Sequence, residues 1–310
     1  MPWPDGLVIL DKPAGRTSHD MVSLVRRLAA TRRVGHAGTL DPCATGVLVL
    51  GVGKATRLLT YLVGCDKSYV ATIRLGAATV TDDAEGEVTE ALGAWSSGTG
   101  LVNPAGLDPA DPTPAVLAAM AGLTGAIEQV PSAVSAIKVG GRRAYARVRA
   151  GEEVSLPARP VEVARFDLLA CRPEGDYLDL DVAVGCSSGT YVRALARDLG
   201  TALGVGGHVT ALRRLRVGPY TADQAVTVEA LEAAAAAGQP PVLPLAQAAA
   251  ARFPVRQLTG RESQDLSHGL TAAPSDAGQD QMVAGLAPDG ALVALLRDQD
   301  GRARPVVVFA

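Results

Sequence analysis

The chain is poor in the residues that build metal centres, disulfide frameworks and membrane spans. Among its 310 residues are only four cysteines and four histidines, and aromatic side chains make up 4%. Cys43, Cys65, Cys171 and Cys186 form no Cys-x-x-Cys pair, and no histidine stands at metal-ligand spacing from them. This excludes the usual zinc patterns, and no metal is expected. Scattered thiols in a chain of this length point to a reducing compartment. No apolar run approaches the roughly 18–20 residues that a membrane span needs, so no membrane partner is expected. The N-terminal residues Met1-Pro2-Trp3-Pro4-Asp5-Gly6 lack a basic stretch followed by an apolar one. A cytoplasmic protein is therefore expected.

Strong positive charge is missing as well. The net charge is −3, but it is unevenly spread. Residues 1–220 carry 23 basic and 22 acidic side chains, whereas residues 221–310 carry 6 and 10. Three arginine clusters stand out: Arg26, Arg27, Arg32 and Arg33; Arg142, Arg143, Arg147 and Arg149; and Arg213, Arg214 and Arg216. Arginine outnumbers lysine 25 to 4, so any one arginine says little, and each cluster alone reads equally as a solvated face or as a binding surface. What is plentiful is apolar residues, at 48%, against 20% charged. That balance belongs to an ordinary globular chain able to enclose a partly dry site.

Two nucleotide-binding patterns fail on inspection. Gly53-Lys54 would need Gly at 48 and Ser or Thr at 55 to form a phosphate loop, but those positions hold Leu48 and Ala55. A dinucleotide fingerprint beginning at Gly51 would need Gly at 56, which is Thr56. The adjacent Asp82 and Asp83 invite a magnesium ion, yet paired carboxylates in a polar loop read more simply as solvated.

Periodicity organises the rest. Residues 7–10 and 47–52 are short apolar runs, read as buried strands. Residues 17–20 offer N-cap side chains before a helix-like spacing of apolar residues. Residues 69–75 and 178–184 alternate apolar and polar, the pattern of half-buried strands. The second leads through a turn into a helix over about 191–199, with Gly200 as its stop. Residues 92–115 read as a long surface loop, 115–123 as a short helix, and 229–237 as an alanine-rich helix. Beyond 249, the runs 292–296 and 306–309 suggest a separate small β-rich domain. No internal repeat is present.

Four pieces carry chemical promise. The loop Gly35-His36-Ala37-Gly38-Thr39-Leu40-Asp41-Pro42 presents one carboxylate from a stiff turn, because the residue before proline is pushed towards extended geometry. By itself it reads as an Asp-Pro turn. Lys67-Ser68-Tyr69 opens a strand. Tyr191 and Arg193 stand in the first turn of a helix, where a cation opposes the macrodipole by about 0.3–1 kcal/mol and calls for a buried carboxylate. Leu212 precedes Arg213 and Arg214 in the fourth piece, residues 208–214.

Together these pieces resemble the tRNA pseudouridine synthases of the TruB kind. The resemblance covers residues 7–220 and is strongest over 35–46. It extends to 10–18, 66–69, 82–86, 131–138 and 186–193. It implies an α/β (α+β) catalytic domain with a bent, mainly antiparallel central sheet over 1–248. An RNA-binding insertion is expected at about 116–150. A small β-rich, PUA-like domain is expected over 249–310.

It further implies Asp41 as the catalytic aspartate, Tyr69 against the target base, and Arg193 as the partner of Asp41. Tyr191 and Leu212 would help form the base pocket, His36 would meet the RNA near the vacated position, and Lys12 would support the loop. Lys138, Arg142 and Arg143 would contact the RNA. The implied substrate is uridine 55 in the T-arm of tRNA. Isomerising a uridine loses no electrons and moves no phosphate, so no cofactor is expected. A monomer without a protein partner is expected, because a T-arm needs open surface. Rival readings are an RNA-binding or tRNA-folding module without chemistry, and a synthase acting on another RNA. The set Asp41, Tyr69 and Arg193 favours catalysis.

Overall fold

The computed structural model describes residues 3–95, 111–132, 138–139, 142–143, 156–275, 278 and 281–309. The chain divides into two compact units. One comprises residues 1–42, 46–63 and 217–310, and the other residues 43–45 and 64–216.

The first unit begins with β1 (Gly6–Lys12), whose side chains are almost all buried. Helix α1 (Ser18–Leu28) follows. Thr17 caps it reciprocally: its hydroxyl accepts from the Asp20 amide at 3.1 Å, and the Asp20 carboxylate accepts from the Thr17 amide at 2.8 Å. Its apolar stripe, Met21, Val22, Leu24 and Val25, faces the core. Strand β2 (Val34–His36) and strand β3 (Thr45–Val52) then pair antiparallel, and β1 pairs antiparallel with β3 from Gly6↔Val52 to Lys12↔Gly46. The continuous apolar run 47–50 is fully buried, as expected for a strand covered on both faces.

The second unit is built on a sheet of largely antiparallel pairs. Strand β4 (Lys67–Leu75) alternates buried and half-buried residues along its whole length. Helix α2 (Thr113–Gly122) leads into β5 (Gly125–Gln129), then β6 (Arg159–Glu174) and β7 (Tyr177–Cys186). Helix α3 (Val192–Ala202) precedes β8 (Gly207–Val217). The strand order here is β8-β4-β7-β6-β5. The sheet's partly exposed polar positions are cross-linked: Arg74 grips Asp179 with two bonds of 2.8 Å, and Arg172 and Thr72 both bind Asp181. The small ladder Lys138–Val139 with Arg142–Arg143 is antiparallel.

Helix α3 does not stop at Gly200 as the sequence suggested. It runs to Ala202 because Gly200 serves close packing instead. A Cβ there would lie 2.2 Å from the backbone of Gly206 and Gly207. Most of the expected loop over 92–115 lies outside the described residues.

The first unit resumes with α4 (Val228–Ala236), capped by Thr227, then β9 (Leu243–Pro244), which extends β1, and α5 (Leu245–Arg252). The chain ends in a four-stranded sheet. Its strands are β10 (Val255–Gln257), β11 (Met282–Leu286), β12 (Leu292–Gln299) and β13 (Arg302–Val308), in that order. Helix α6 (Gly260–Ser267) packs Leu266 into this sheet's core, with Leu258, Val293, Ala294, Leu296 and Ala303. The small β-rich C-terminal part is thus present, with two more strands than the sequence suggested. Among the described residues, no helix is long and apolar enough to cross a membrane.

Candidate active site

In the first unit, the loop after β2 is fixed from three sides. Lys12 is completely buried, and its ammonium donates to the carbonyls of Pro13 at 2.8 Å, Arg16 at 2.7 Å and Pro42 at 3.1 Å. The amide of Gly15 donates to the same Pro42 carbonyl at 2.9 Å. Ser18, buried at the start of α1, accepts from the Leu40 amide at 2.9 Å and donates to the Leu40 carbonyl at 3.2 Å. Residues 40 and 42 are therefore anchored on both sides of Asp41, which is itself half-buried. Gly38 and Gly46 adopt φ of 92° and 99°, values that side chains disfavour, so the loop's outline depends on glycine at both places. His36 leaves β2 half-buried, with its ring edge-on to His19 at 5.8 Å. Lys12, His36 and Asp41 are thus gathered in one unit.

The second unit holds Tyr69, Tyr191, Arg193 and Leu212. Tyr69 is buried on β4, opposite Val184 of β7. Leu212 is buried on β8, the strand beside β4. Tyr191 is the N-cap of α3, half-buried, and Arg193 is buried in the first turn.

The carboxylate that Arg193 calls for is present. Asp83 Oδ2 lies 3.3 Å from Arg193 Nη1, with both side chains about 95% buried: relative exposures are 4% and 5%. The same Nη1 donates to the Thr81 carbonyl at 2.7 Å. Asp83 Oδ1 accepts from the Thr81 hydroxyl at 2.5 Å and from the Glu85 amide at 3.1 Å. The loop is docked against β8, since Ala84 donates to the Val209 carbonyl and Val209 donates to that of Asp82. Asp82 holds φ of 58° and pairs with Arg197, one turn along α3, at 3.3 Å. Burial pushes the Asp82 carboxyl up from its ordinary value, against the pull of Arg197 and Arg193. Reading Asp82 and Asp83 as solvated was therefore wrong. Arg193 at the helix start was the one sequence signal for a buried anion, and it did not say which.

Cys43, Asp83 and Glu85 place potential ligand atoms within 4.8 Å of one another. Both Asp83 oxygens are already committed to Arg193, Thr81 and Glu85, so this trio is a poor metal cage.

The arginine clusters differ. Arg26, Arg27, Arg32 and Arg33 are exposed, although Arg26 donates to the Val34 carbonyl and Arg27 reaches Glu232 at 3.4 Å. Arg214 is fully buried, and Arg216 pairs with Asp66 at 2.6 Å, which lowers the Asp66 carboxyl below its ordinary value. The third cluster is thus not a solvated face. Lys138, Arg142 and Arg143 contribute backbone to the small ladder; their side chains lie outside the described residues, as do Arg147 and Arg149.

Comparison with known proteins converges on one family. The profile described as "TruB family pseudouridylate synthase (N terminal domain)" matches residues 26–192. Two further profiles match residues 193–244, "tRNA pseudouridylate synthase B C-terminal domain", and 253–310, "tRNA Pseudouridine synthase II, C terminal". The chain is 59% identical to a tRNA pseudouridine synthase B of Arthrobacter sp. (strain FB24), over 98% of this chain and 96% of the relative. It is 56% identical to one of Thermobifida fusca (strain YX), covering 99% of each. Among solved structures, a Cbf5-Nop10-Gar1 complex gives a TM-score of 0.71 at 26% identity, over 98% of this chain and 85% of the other. The chain belongs to the TruB family of pseudouridylate synthases.

Proposed function

We propose that this chain converts uridine 55 in the T-arm of tRNA to pseudouridine, with Asp41 as the nucleophile. Family membership supports tRNA pseudouridylation. The observation that carries the assignment of Asp41 is the double anchoring of its loop by Lys12 and Ser18, which presents one carboxylate at a fixed place. A nucleophile held in place spends little entropy on reaching its target.

In this reading the uridine leaves the stack, at a cost of a few kcal/mol. Tyr69 and Leu212 offer it an aromatic and an aliphatic face. Stacking on an aromatic ring returns about 1–3 kcal/mol per base. Asp41 then attacks, the bond from C1′ to N1 breaks, the uracil turns, C1′ joins C5, and the carboxylate is released again. The C5 proton leaves, with Tyr69 beside it, and N1 takes up a proton in its place. Arg193 is the cation paired with Asp41, and Asp83 holds that guanidinium in place. Tyr191 lines the pocket, and His36 meets the RNA at the vacated position. Atoms and electrons balance within the nucleoside itself, so the reaction draws on no redox or phosphoryl cofactor.

Phosphate contacts fall to exposed arginines and to the insertion carrying Lys138, Arg142 and Arg143. We read residues 1–248 as the catalytic part and 249–310 as a PUA-like part, in a cytoplasmic monomer.

The test is to incubate the protein with an unmodified tRNA transcript and map pseudouridine along it. The expected result is conversion at position 55, lost when that uridine is replaced by cytidine. Conversion only at another position overturns the site assignment. Retained binding without any conversion favours a folding module.

A further inference from the structure

Tyr191 is held by two residues to which neither the chemistry nor the fold has given a role. Gln129 is the last residue of β5 and Arg159 the first of β6, and they are direct partners in the antiparallel register. Between them runs the segment that carries Lys138, Arg142 and Arg143. They thus form the foot of that segment, which belongs to the insertion expected over about 116–150 to receive the RNA.

Gln129 is almost fully buried, and its side-chain amide binds the backbone of Tyr191 twice. Its Oε1 accepts from the Tyr191 amide at 2.8 Å, and its Nε2 donates to the Tyr191 carbonyl at 3.1 Å. That carbonyl also accepts the first bond of α3, from Leu195 at 3.1 Å. Tyr191 is the N-cap of α3 without a side-chain cap of its own, so Gln129 supplies from another strand part of what a capping residue supplies locally. Arg159 approaches from the ring side, with its guanidinium carbon 5.1 Å from the Tyr191 ring centroid. That is within the range of a cation–π contact. Its Nη2 is buried and meets no acceptor among the described residues. A third tie fastens the same foot to α3: Arg197 Nη2 donates to the Val130 carbonyl at 2.7 Å.

We propose that Gln129 and Arg159 are positioning residues for Tyr191, one fixing its backbone and the other its ring, so that the strand pair at the foot of the segment carrying Lys138, Arg142 and Arg143 sets the pocket tyrosine. The inference rests on the reading of Tyr191 as a pocket residue. Neither residue touches the reacting atoms. Their effect belongs in the rate of the bound complex and not in its affinity.

The experiment measures single-turnover conversion and tRNA affinity for Gln129→Met, Arg159→Met, Tyr191→Ala and the double variant of Arg159 and Tyr191, with thermal melts as a folding check. The expected result is a rate lower by about tenfold or more for each single variant, with affinity within about twofold of wild type for the variants of Gln129 and Arg159. In the Tyr191→Ala background, Arg159→Met should cost nothing further, because its only route to the rate is through that ring. Arg159→Lys, which keeps the cation that the ring attracts, should recover part of the rate lost in Arg159→Met. It also provides the reading should Gln129→Met fail to fold. If Tyr191→Ala slows conversion while the variants of Arg159 and a folded Gln129→Met do not, the positioning role is overturned and the pocket reading stands. Losses that multiply in the double variant overturn it equally. If Tyr191→Ala converts at the wild-type rate, the pocket reading itself falls.

Discussion

At Lys12 three carbonyl oxygens converge on one ammonium that water does not reach. A buried cation is tolerated only when its hydrogens are so occupied. Lys12→Met would keep the stem and remove three donors from part-buried carbonyls, at about 1 kcal/mol per lost bond. The expected outcome is a lower denaturation midpoint together with slower conversion, because the Pro42 carbonyl next to Asp41 loses one of its two donors and keeps only the Gly15 amide. Unchanged midpoint and rate would contradict the anchoring role. Asp82 makes a separate prediction. Burial raises its carboxyl above the ordinary 3.8, so the folded chain holds that proton more tightly than the unfolded one. Ionising it therefore costs stability as pH rises from 3.8 through the raised value, and the cost persists above. Relative to Asp82→Asn, the wild type should lose stability across that window and then level off. A difference that grows in the wild type's favour as pH rises would contradict it. At this scale the sequence was legible in local geometry: the stiff turn that Pro42 and the glycines suggested around Asp41 is the anchored loop, with Gly38 and Gly46 at positive φ. It was opaque at Asp83 and Gln129, because a lone Asp or Gln shows its role only once the fold brings it to Arg193 or Tyr191.

Elements were read best where period and burial agree. The alternation of residues 69–75 became the alternating burial of β4, and the capping signal at Thr17 became a reciprocal cap. Removing that cap with Thr17→Ala should cost about 1 kcal/mol in chemical denaturation. Gly200 was misread because a glycine near a helix end has two uses that look alike in sequence. Its true use makes a stronger prediction. Gly200→Ala would press a methyl into the backbone of Gly206 and Gly207, which cannot swing aside as a side chain can. Overpacking of this kind costs about 1–3 kcal/mol or more, so the variant should melt several degrees lower, and an unchanged melting temperature would refute the packing argument. The strands Val255–Gln257 and Met282–Leu286 escaped notice because each is short, and β11 carries a glycine. For Val255–Gln257 the partner that makes it a strand lies well along the chain, with Val255 opposite Ala284.

For the molecule as a whole, family membership was legible because many short motifs stand in a fixed order over 7–220, while no single one is decisive. The net charge of −3 conceals the RNA-binding character. Affinity for tRNA should nonetheless fall steeply with salt, since phosphate contacts release counterions. A salt-independent affinity would argue against binding through the arginines. The central claim is that one carboxylate, presented by a loop that Lys12 and Ser18 hold rigid, begins the isomerisation. Its most direct test is the release of tritium from tRNA labelled at C5 of uridine, comparing the wild-type chain with Asp41→Asn. The account predicts release by the wild type and almost none by Asp41→Asn, with tRNA binding retained. Equal release by both would contradict it.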